Sequence, residues 1–113
     1  MANHASAKKR SRQNKTRNTV NSQYLSKFRN ALNNLKPDIV LTVADRYETI
    51  ATAISSSYMN IPLAHTQGGE LTGSIDESVR HAITKLAHIH FPATDLSKKR
   101  LIQMGEDRKK VFN

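Results

Sequence analysis

Beyond Lys36-Pro37, short apolar runs alternate with stretches of helical periodicity, and that alternation leaves few folds open. Ile39-Val40-Leu41-Thr42-Val43 is a continuous apolar, β-branched run. It reads as a strand buried on both faces, the pattern of a parallel sheet. Residues 46–58, Arg46 to Tyr58, carry Ile50, Ala51, Ile54 and Tyr58 at helical spacing. Ile61-Pro62-Leu63-Ala64-His65 is a second short strand, and Gln67 to Ser74 is a loop containing Gly68, Gly69 and Gly73. Ser74 followed three residues later by Glu77 matches a capping box. It opens a helix to about His88, with Ile75, Val79, Ile83 and Leu86 on one face. Ile89-His90-Phe91 is a third strand, and Thr94 or Asp95 caps a last helix to about Met104, which Gly105 ends. Lys110-Val111-Phe112 begins a fourth strand. Strand–helix repeats of this kind imply parallel crossovers and a doubly wound α/β layout. Ligands then sit at the carboxyl ends of the strands. Those ends are Ala44-Asp45-Arg46, His65 to Glu70 and Phe91 to Thr94.

The first third of the chain is different in texture. Residues 1–35 hold eight of the 18 Lys and Arg and none of the nine Asp and Glu. They are Lys8, Lys9, Arg10, Arg12, Lys15, Arg17, Lys27 and Arg29. The remaining ten cations and nine acids nearly cancel, so the formal net charge of +9 is almost all in the arm. Residues 1–19 have no large apolar side chain after Met1 and no Gly or Pro. Alone they should fray, yet nothing blocks a helix once a partner neutralises the charge. Ser6 is the expected N-cap. From Val20 the apolar positions Val20, Tyr24, Phe28, Leu32 and Leu35 follow a helical stripe, which Lys36-Pro37 stops. Cations around most of the helix circumference suit a polyanion such as RNA, with an affinity that falls steeply with salt. Asn3, His4, Asn14, Asn18 and Asn21 add hydrogen-bonding groups. A solvated charged helix is the plainer alternative.

The absence of cysteine excludes disulfides and thiolate chemistry. There is no apolar signal core, and no apolar run approaches the roughly 18 residues a bilayer span requires, so a cytoplasmic protein with no membrane partner is the expectation. His65, His81, His88 and His90 lack the spacing and nearby acid of a metal site, and neither metal nor cofactor is expected. On spacing alone, Asp45, Glu70, Asp76, Arg80 and His81 form a candidate site. Arg80 stands one helical turn from Asp76 and can pair with it, which would equally serve as capping and a surface ion pair.

Two resemblances sharpen this. Met1-Ala2-Asn3-His4, Ser6-Ala7, Lys9-Arg10 and Arg12-Gln13 resemble the start of bacterial small-subunit ribosomal protein number twenty, continuing more weakly through Arg17, Asn21, Tyr24, Ser26 and Arg29. That resemblance implies a helix inserted into small-subunit rRNA, with Lys8, Lys9, Arg10, Arg12, Lys15 and Arg17 on the RNA. Lys36-Pro37-Asp38-Ile39-Val40-Leu41, Asp45-Arg46, the long run from His65 to Leu86, Ile102 to Asp107 and Val111-Phe112-Asn113 are similar to the UDP-N-acetylglucosamine 2-epimerase family. The similarity is greatest to the hydrolysing branch that feeds sialic and legionaminic acid synthesis.

The second resemblance implies two Rossmann-like domains with a nucleotide sugar between them. The chemistry abstracts a ring proton at the acetamido position, expels UDP through a glycal, and adds water on the other face. Acids and bases are needed on both faces of the ring. By this resemblance Asp45, His65, Gln67, Asp76 and Arg80 fall on catalytic positions, and Arg46, Glu70 and His81 on substrate-binding ones. Gln67 stands where many members carry a catalytic Glu, Ala44 replaces the usual Gly before Asp45, and Arg108 replaces a frequent Pro. The first strands with their Gly-rich nucleotide loop, and the second domain, have no counterpart here. The chain therefore reads as an rRNA-binding-like arm, residues 1–35, joined to an incomplete Rossmann-like epimerase piece, residues 36–113. The junction falls within about residues 20–36, and the piece should be inactive unless complemented. A ribosomal rRNA-binding protein with a passenger C-terminus, and a composite without selected function, are the alternatives. A sheet begun mid-way should expose an unpaired edge and an uncovered apolar face.

Overall fold

The computed structural model describes residues 4–113; Met1 to Asn3, the opening of the ribosomal-like motif, lie outside the described residues. The first helix, α1, runs unbroken over Ala5–Leu35. No Gly or Pro interrupts it. Its N-cap is His4, not the expected Ser6, and no side chain caps it; Ser6 lies inside the first turn, with its hydroxyl 2.7 Å from His4 Nδ1. Every residue from Lys8 to Val20 is exposed. Packing begins near Tyr24, whose ring meets Tyr47 edge-on at 5.8 Å, and ends at buried Leu32. Val20 and Leu35, counted in the expected stripe, face solvent. Lys36 closes the helix in the left-handed region, donating its N–H to the Leu32 carbonyl at 2.9 Å.

Three short parallel strands follow, β1 (Val40–Val43), β2 (Leu63–Thr66) and β3 (Ile89–Phe91), in the order β1-β2-β3. Helices α2 (Tyr47–Tyr58) and α3 (Ile75–Leu86) connect them, and α4 (Asp95–Gln103) follows β3. Right-handed crossovers between adjacent strands put their helices on one face, and α2 and α3 do pack on each other. The core lies beneath them: Ala53, Leu63, Ile83 and Ala87, with Val40, Ile50, Val79 and Leu86 packed alongside. The α/β architecture with a parallel sheet expected from the strand–helix alternation is therefore the one observed, but among the described residues the helices cover one face only, so the doubly wound layout is not formed.

One-sided coverage corrects the reading of β1. In parallel register, Thr42, His65 and His90 share a face, and all three are buried. Leu41 and Val43 point the other way and are 59% and 56% exposed. The strand is not buried on both faces, because among the described residues no helix covers the second one. Phe91 and Phe112 extend the same uncovered apolar surface, their rings 6.0 Å apart. The end of the chain is also only partly a strand. Arg108–Lys110 forms a 3₁₀ turn, and Val111 makes a single parallel bridge to His90. Tyr58 and Ile75, assigned to the apolar faces of α2 and α3, are exposed.

Candidate functional site

The carboxyl ends of β1 and β2 meet the first turns of α2 and α3. Two non-glycine residues there hold positive φ, Ala44 at 65° and Gln67 at 61°. Each follows the last residues of its strand and turns the chain sharply out of the sheet. Such conformations are strained for L-residues and persist only where the surroundings over-determine them.

Arg80 is the organising side chain. It lies on α3, is 5% exposed, and its Nη2 donates to the Asp45 carboxylate, 35 residues away. Its Nη1 donates to the Glu70 carbonyl at 2.7 Å. One guanidinium therefore ties the end of β1 to the loop after β2. The expected Asp76–Arg80 pair is not the one formed: Asp76 stands exposed in the first turn of α3, while Asp45 offers Arg80 an anion in a more enclosed setting. Attraction between charges grows as the local dielectric falls.

The capping box is likewise altered. Ser74 is the N-cap but its side chain makes no cap bond. The Glu77 carboxylate instead accepts the N–H groups of Thr72 and Gly73, both at 2.7 Å. Those two bonds hold the Glu77 pKa below its ordinary value. Glu77 also faces His81 Nε2 at 3.7 Å.

Gln67 is exposed, and its N–H donates to the Phe91 carbonyl at 3.0 Å, linking the loop to β3. Arg46 is the exposed N-cap residue of α2. His65 is fully buried, its Nε2 2.9 Å from the Ala44 carbonyl. Of the sequence candidates, then, Asp45, Arg80, Glu70 and His65 join one hydrogen-bonded cluster. Asp76, Gln67 and Arg46 are exposed and make no side-chain hydrogen bond to it.

Sequence reasoning missed two supports. Arg100 on α4 donates to the Gly69 carbonyl at 3.3 Å. His90 Nε2 meets Glu106 at 3.1 Å, and the same carboxylate takes Lys85 Nζ at 2.5 Å. These partners lie 16 to 31 residues apart in sequence, and no local spacing signals them. Among the described residues, no group of three or more His, Asp or Glu is placed to hold a metal ion. Nor is any described helix long and apolar enough to cross a membrane.

Burial, above all, lowers the pKa of both His65 and His90 below the ordinary 6.5. For His65 the charges of His90 and Arg80 add to this, against its backbone bond to Ala44 and the charge of Asp45. For His90 the Glu106 carboxylate opposes the shift. Both rings prefer to be neutral in the fold, so below pH 6.5 the unfolded chain binds more protons than the folded one. Their contribution is full above that pH and erodes as pH falls towards the lowered folded values. The Glu77 contribution is present above its ordinary 4.5 and is lost lower still, as pH falls through its lowered folded value. Urea midpoints should accordingly be flat from about pH 8 to 7 and decline from about 6.5 to 5.5. A midpoint that rises over the acid range would contradict the buried neutral rings.

Residues 4–113 match the family model described as UDP-N-acetylglucosamine 2-epimerase. The match begins inside the basic arm and takes in α1. The chain is 51% identical over 89 residues to the GDP/UDP-N,N'-diacetylbacillosamine 2-epimerase (hydrolyzing) of Campylobacter jejuni, covering 78% of this chain and 23% of that protein. It is 54% identical over 76 residues to the UDP-N,N'-diacetylbacillosamine 2-epimerase (hydrolyzing) of Legionella pneumophila, covering 67% and 20%. In fold it resembles the crystal structure of the UDP-GlcNAc 2-epimerase from Neisseria meningitidis bound to UDP-GlcNAc, with TM-score 0.78 and 28% identity over 82% of this chain and 26% of that one. The chain thus spans less than a quarter of the length of these two curated relatives. A three-stranded parallel sheet with its polar cluster at the carboxyl ends, and a family match over almost every residue, lead to one assignment: the chain belongs to the UDP-N-acetylglucosamine 2-epimerase family.

Proposed function

We propose that this chain supplies one wall of a nucleotide-sugar 2-epimerase site of the hydrolysing kind, and that it turns over no substrate alone. The observation that carries the reading is the Asp45–Arg80 pair. It places a carboxylate held by a cation at the carboxyl end of β1, beside the loop that carries Gln67 and Glu70. Proton abstraction next to an acetamido group needs an oriented carboxylate, and expulsion of UDP needs an acid or cation facing it. In this reading Asp45 and Asp76 are the proton-handling carboxylates. Arg80 orients Asp45, while Arg46, Glu70 and His81 contact the substrate. Gln67 has an amide where proton transfer would need a carboxyl, so it serves as a hydrogen-bonding group. A second wall must come from polypeptide beyond this sheet.

The test is UDP release from UDP-N-acetylglucosamine and from UDP-N,N'-diacetylbacillosamine. The chain alone should match the no-enzyme blank. Co-expression with a relative lacking the corresponding segment should restore release, and the Asp45→Asn form should not. Release by the isolated chain would overturn the incomplete-site reading. Restoration by Asp45→Asn would overturn the role of Asp45.

The exposed stretch of α1 favours a second activity for the arm. From Lys8 to Arg17 it presents six cations and no acid to solvent. We propose that residues 1–35 bind a polyanion through their exposed face, with small-subunit rRNA the ligand the ribosomal resemblance suggests, while residues 36–113 form the epimerase-like part. Binding of the full chain to small-subunit rRNA should weaken by at least tenfold between about 50 and 200 mM salt. Loss of that binding on replacing Lys8, Lys9, Arg10 and Arg12 by Gln would support the reading; unchanged binding would refute it.

A further inference from the structure

His65 lies mid-sheet, between Thr42 on β1 and His90 on β3, with its side chain fully buried. Its Nε2 is 2.9 Å from the Ala44 carbonyl. A carbonyl can only accept, so Nε2 carries the proton and Nδ1 of the neutral ring is a bare lone pair. That Nδ1 is buried and has no hydrogen-bond partner. Gly68 closes over it: a methyl group there would sit 3.4 Å from Nδ1. A second proton would find no acceptor in that place. The ring is built to donate from one nitrogen and to remain uncharged.

What it donates to matters. The Ala44 carbonyl belongs to the peptide unit that joins Ala44 to Asp45. Ala44 holds φ at 65°, the left-handed region an L-residue adopts only when its surroundings hold it there. From the α2 side, the Thr49 hydroxyl donates to the Val43 carbonyl at 3.1 Å. One residue beyond Ala44, the Asp45 carboxylate meets Arg80. The charged or titratable groups around the ring are Asp45 after β1, Arg80 on α3 and His90 on β3.

We infer that His65 is a positioning residue. Its Nε2–H holds the Ala44–Asp45 peptide in the turn that aims the Asp45 carboxylate at Arg80, and it acts as a neutral donor, not as a proton-transferring group. The inference rests on the reading of Asp45 as a working carboxylate, but its test needs no turnover.

Imidazole nitrogen resonances of the isotope-labelled full chain should show His65 as the Nε2–H tautomer, unchanged from about pH 8 to 5.5. An Nδ1–H tautomer, or titration with a midpoint near the ordinary value of about 6.5, overturns the inference. Two variants then separate positioning from proton transfer. His65→Gln retains an N–H donor near the Nε2 position and cannot carry a proton between groups; His65→Met fills the space without a donor. The Asp45 carboxyl and backbone resonances should stay close to the parent in His65→Gln and move in His65→Met. Equal displacement in both variants overturns the inference, and so does none in either. If His65→Met does not fold, His65→Gln and the parent tautomer still decide. In the complemented enzyme His65→Gln should retain UDP release within about tenfold. Loss of release with the Asp45 resonances intact would make His65 a proton-transfer group. Full release by Asp45→Asn would instead sink the proposed function and leave the geometry of His65 standing.

Discussion

Asp45→Ala is expected to destabilise the chain by about 3–4 kcal/mol, because it strands the Arg80 guanidinium in the interior. Arg80 is 5% exposed, and its Nε already lacks a partner, so removing the carboxylate leaves a cation that water can scarcely reach. The penalty belongs to the orphaned charge, not to the ion pair as such. Replacing both partners, as Asp45→Ala with Arg80→Met, should therefore recover most of the loss, since an apolar pair of similar volume needs no compensation. Urea unfolding of the two single variants and the double variant measures this directly. A double variant as unstable as the sum of the two singles would show that the pair contributes no coupling. The Glu70 carbonyl would then be the partner that matters to Arg80.

The second large effect is expected at Gly69. A β-carbon added there would lie 2.3 Å from the Ser97 carbonyl oxygen and 3.0 Å from the Ser97 carbonyl carbon, both backbone atoms of α4. The residue also holds φ at 81°. Neither problem is relieved by turning a side chain; α4 must move away from the loop. Overpacking of about 1–3 kcal/mol and a left-handed penalty of about 1–2 kcal/mol together put Gly69→Ala near 3–4 kcal/mol. Gly73 isolates the second contribution. Its φ is 70°, but nothing lies within 4 Å of an added β-carbon. Gly73→Ala should cost only about 1–2 kcal/mol. Equal losses in the two variants, read from thermal or urea unfolding, would disprove the close approach of loop and helix as the reason for Gly69.

Both effects concern the join between the Gly-rich loop and its neighbours, and this is where sequence reading was least complete. The loop was legible: Gly68, Gly69 and Gly73 cluster between a strand pattern and a helix start. That Gly69 is required by Ser97, and that Arg100 holds its carbonyl, was not, because α4 lies about 30 residues further on. Asp45, Glu70, His65 and Arg80 were each legible in the sequence, and the fold gathers all four. The contacts that join them were not legible there. His65 enters through the Ala44 carbonyl and Glu70 through its own carbonyl, contacts that leave no trace in residue type.

The alternation of short β-branched runs with helical periodicity was enough to determine a parallel α/β sheet, because period and run length are properties of the backbone that each segment expresses locally. The absence of acids before Asp38 likewise determined that the start of α1 stays in water, since six cations with no partner of their own cannot be buried. Tertiary structure alone decided which acid Arg80 takes. Asp76, one turn away, was the local choice, but it sits in solvent, where its attraction is screened. Asp45 reaches Arg80 only when β1 and α3 are brought side by side, and there the lower dielectric makes it the stronger partner. Tertiary structure also decided which face of β1 is covered. An apolar run records that a strand can be buried on both sides, while the packing of the described helices on one face determines that Thr42 is covered and Leu41 and Val43 are not.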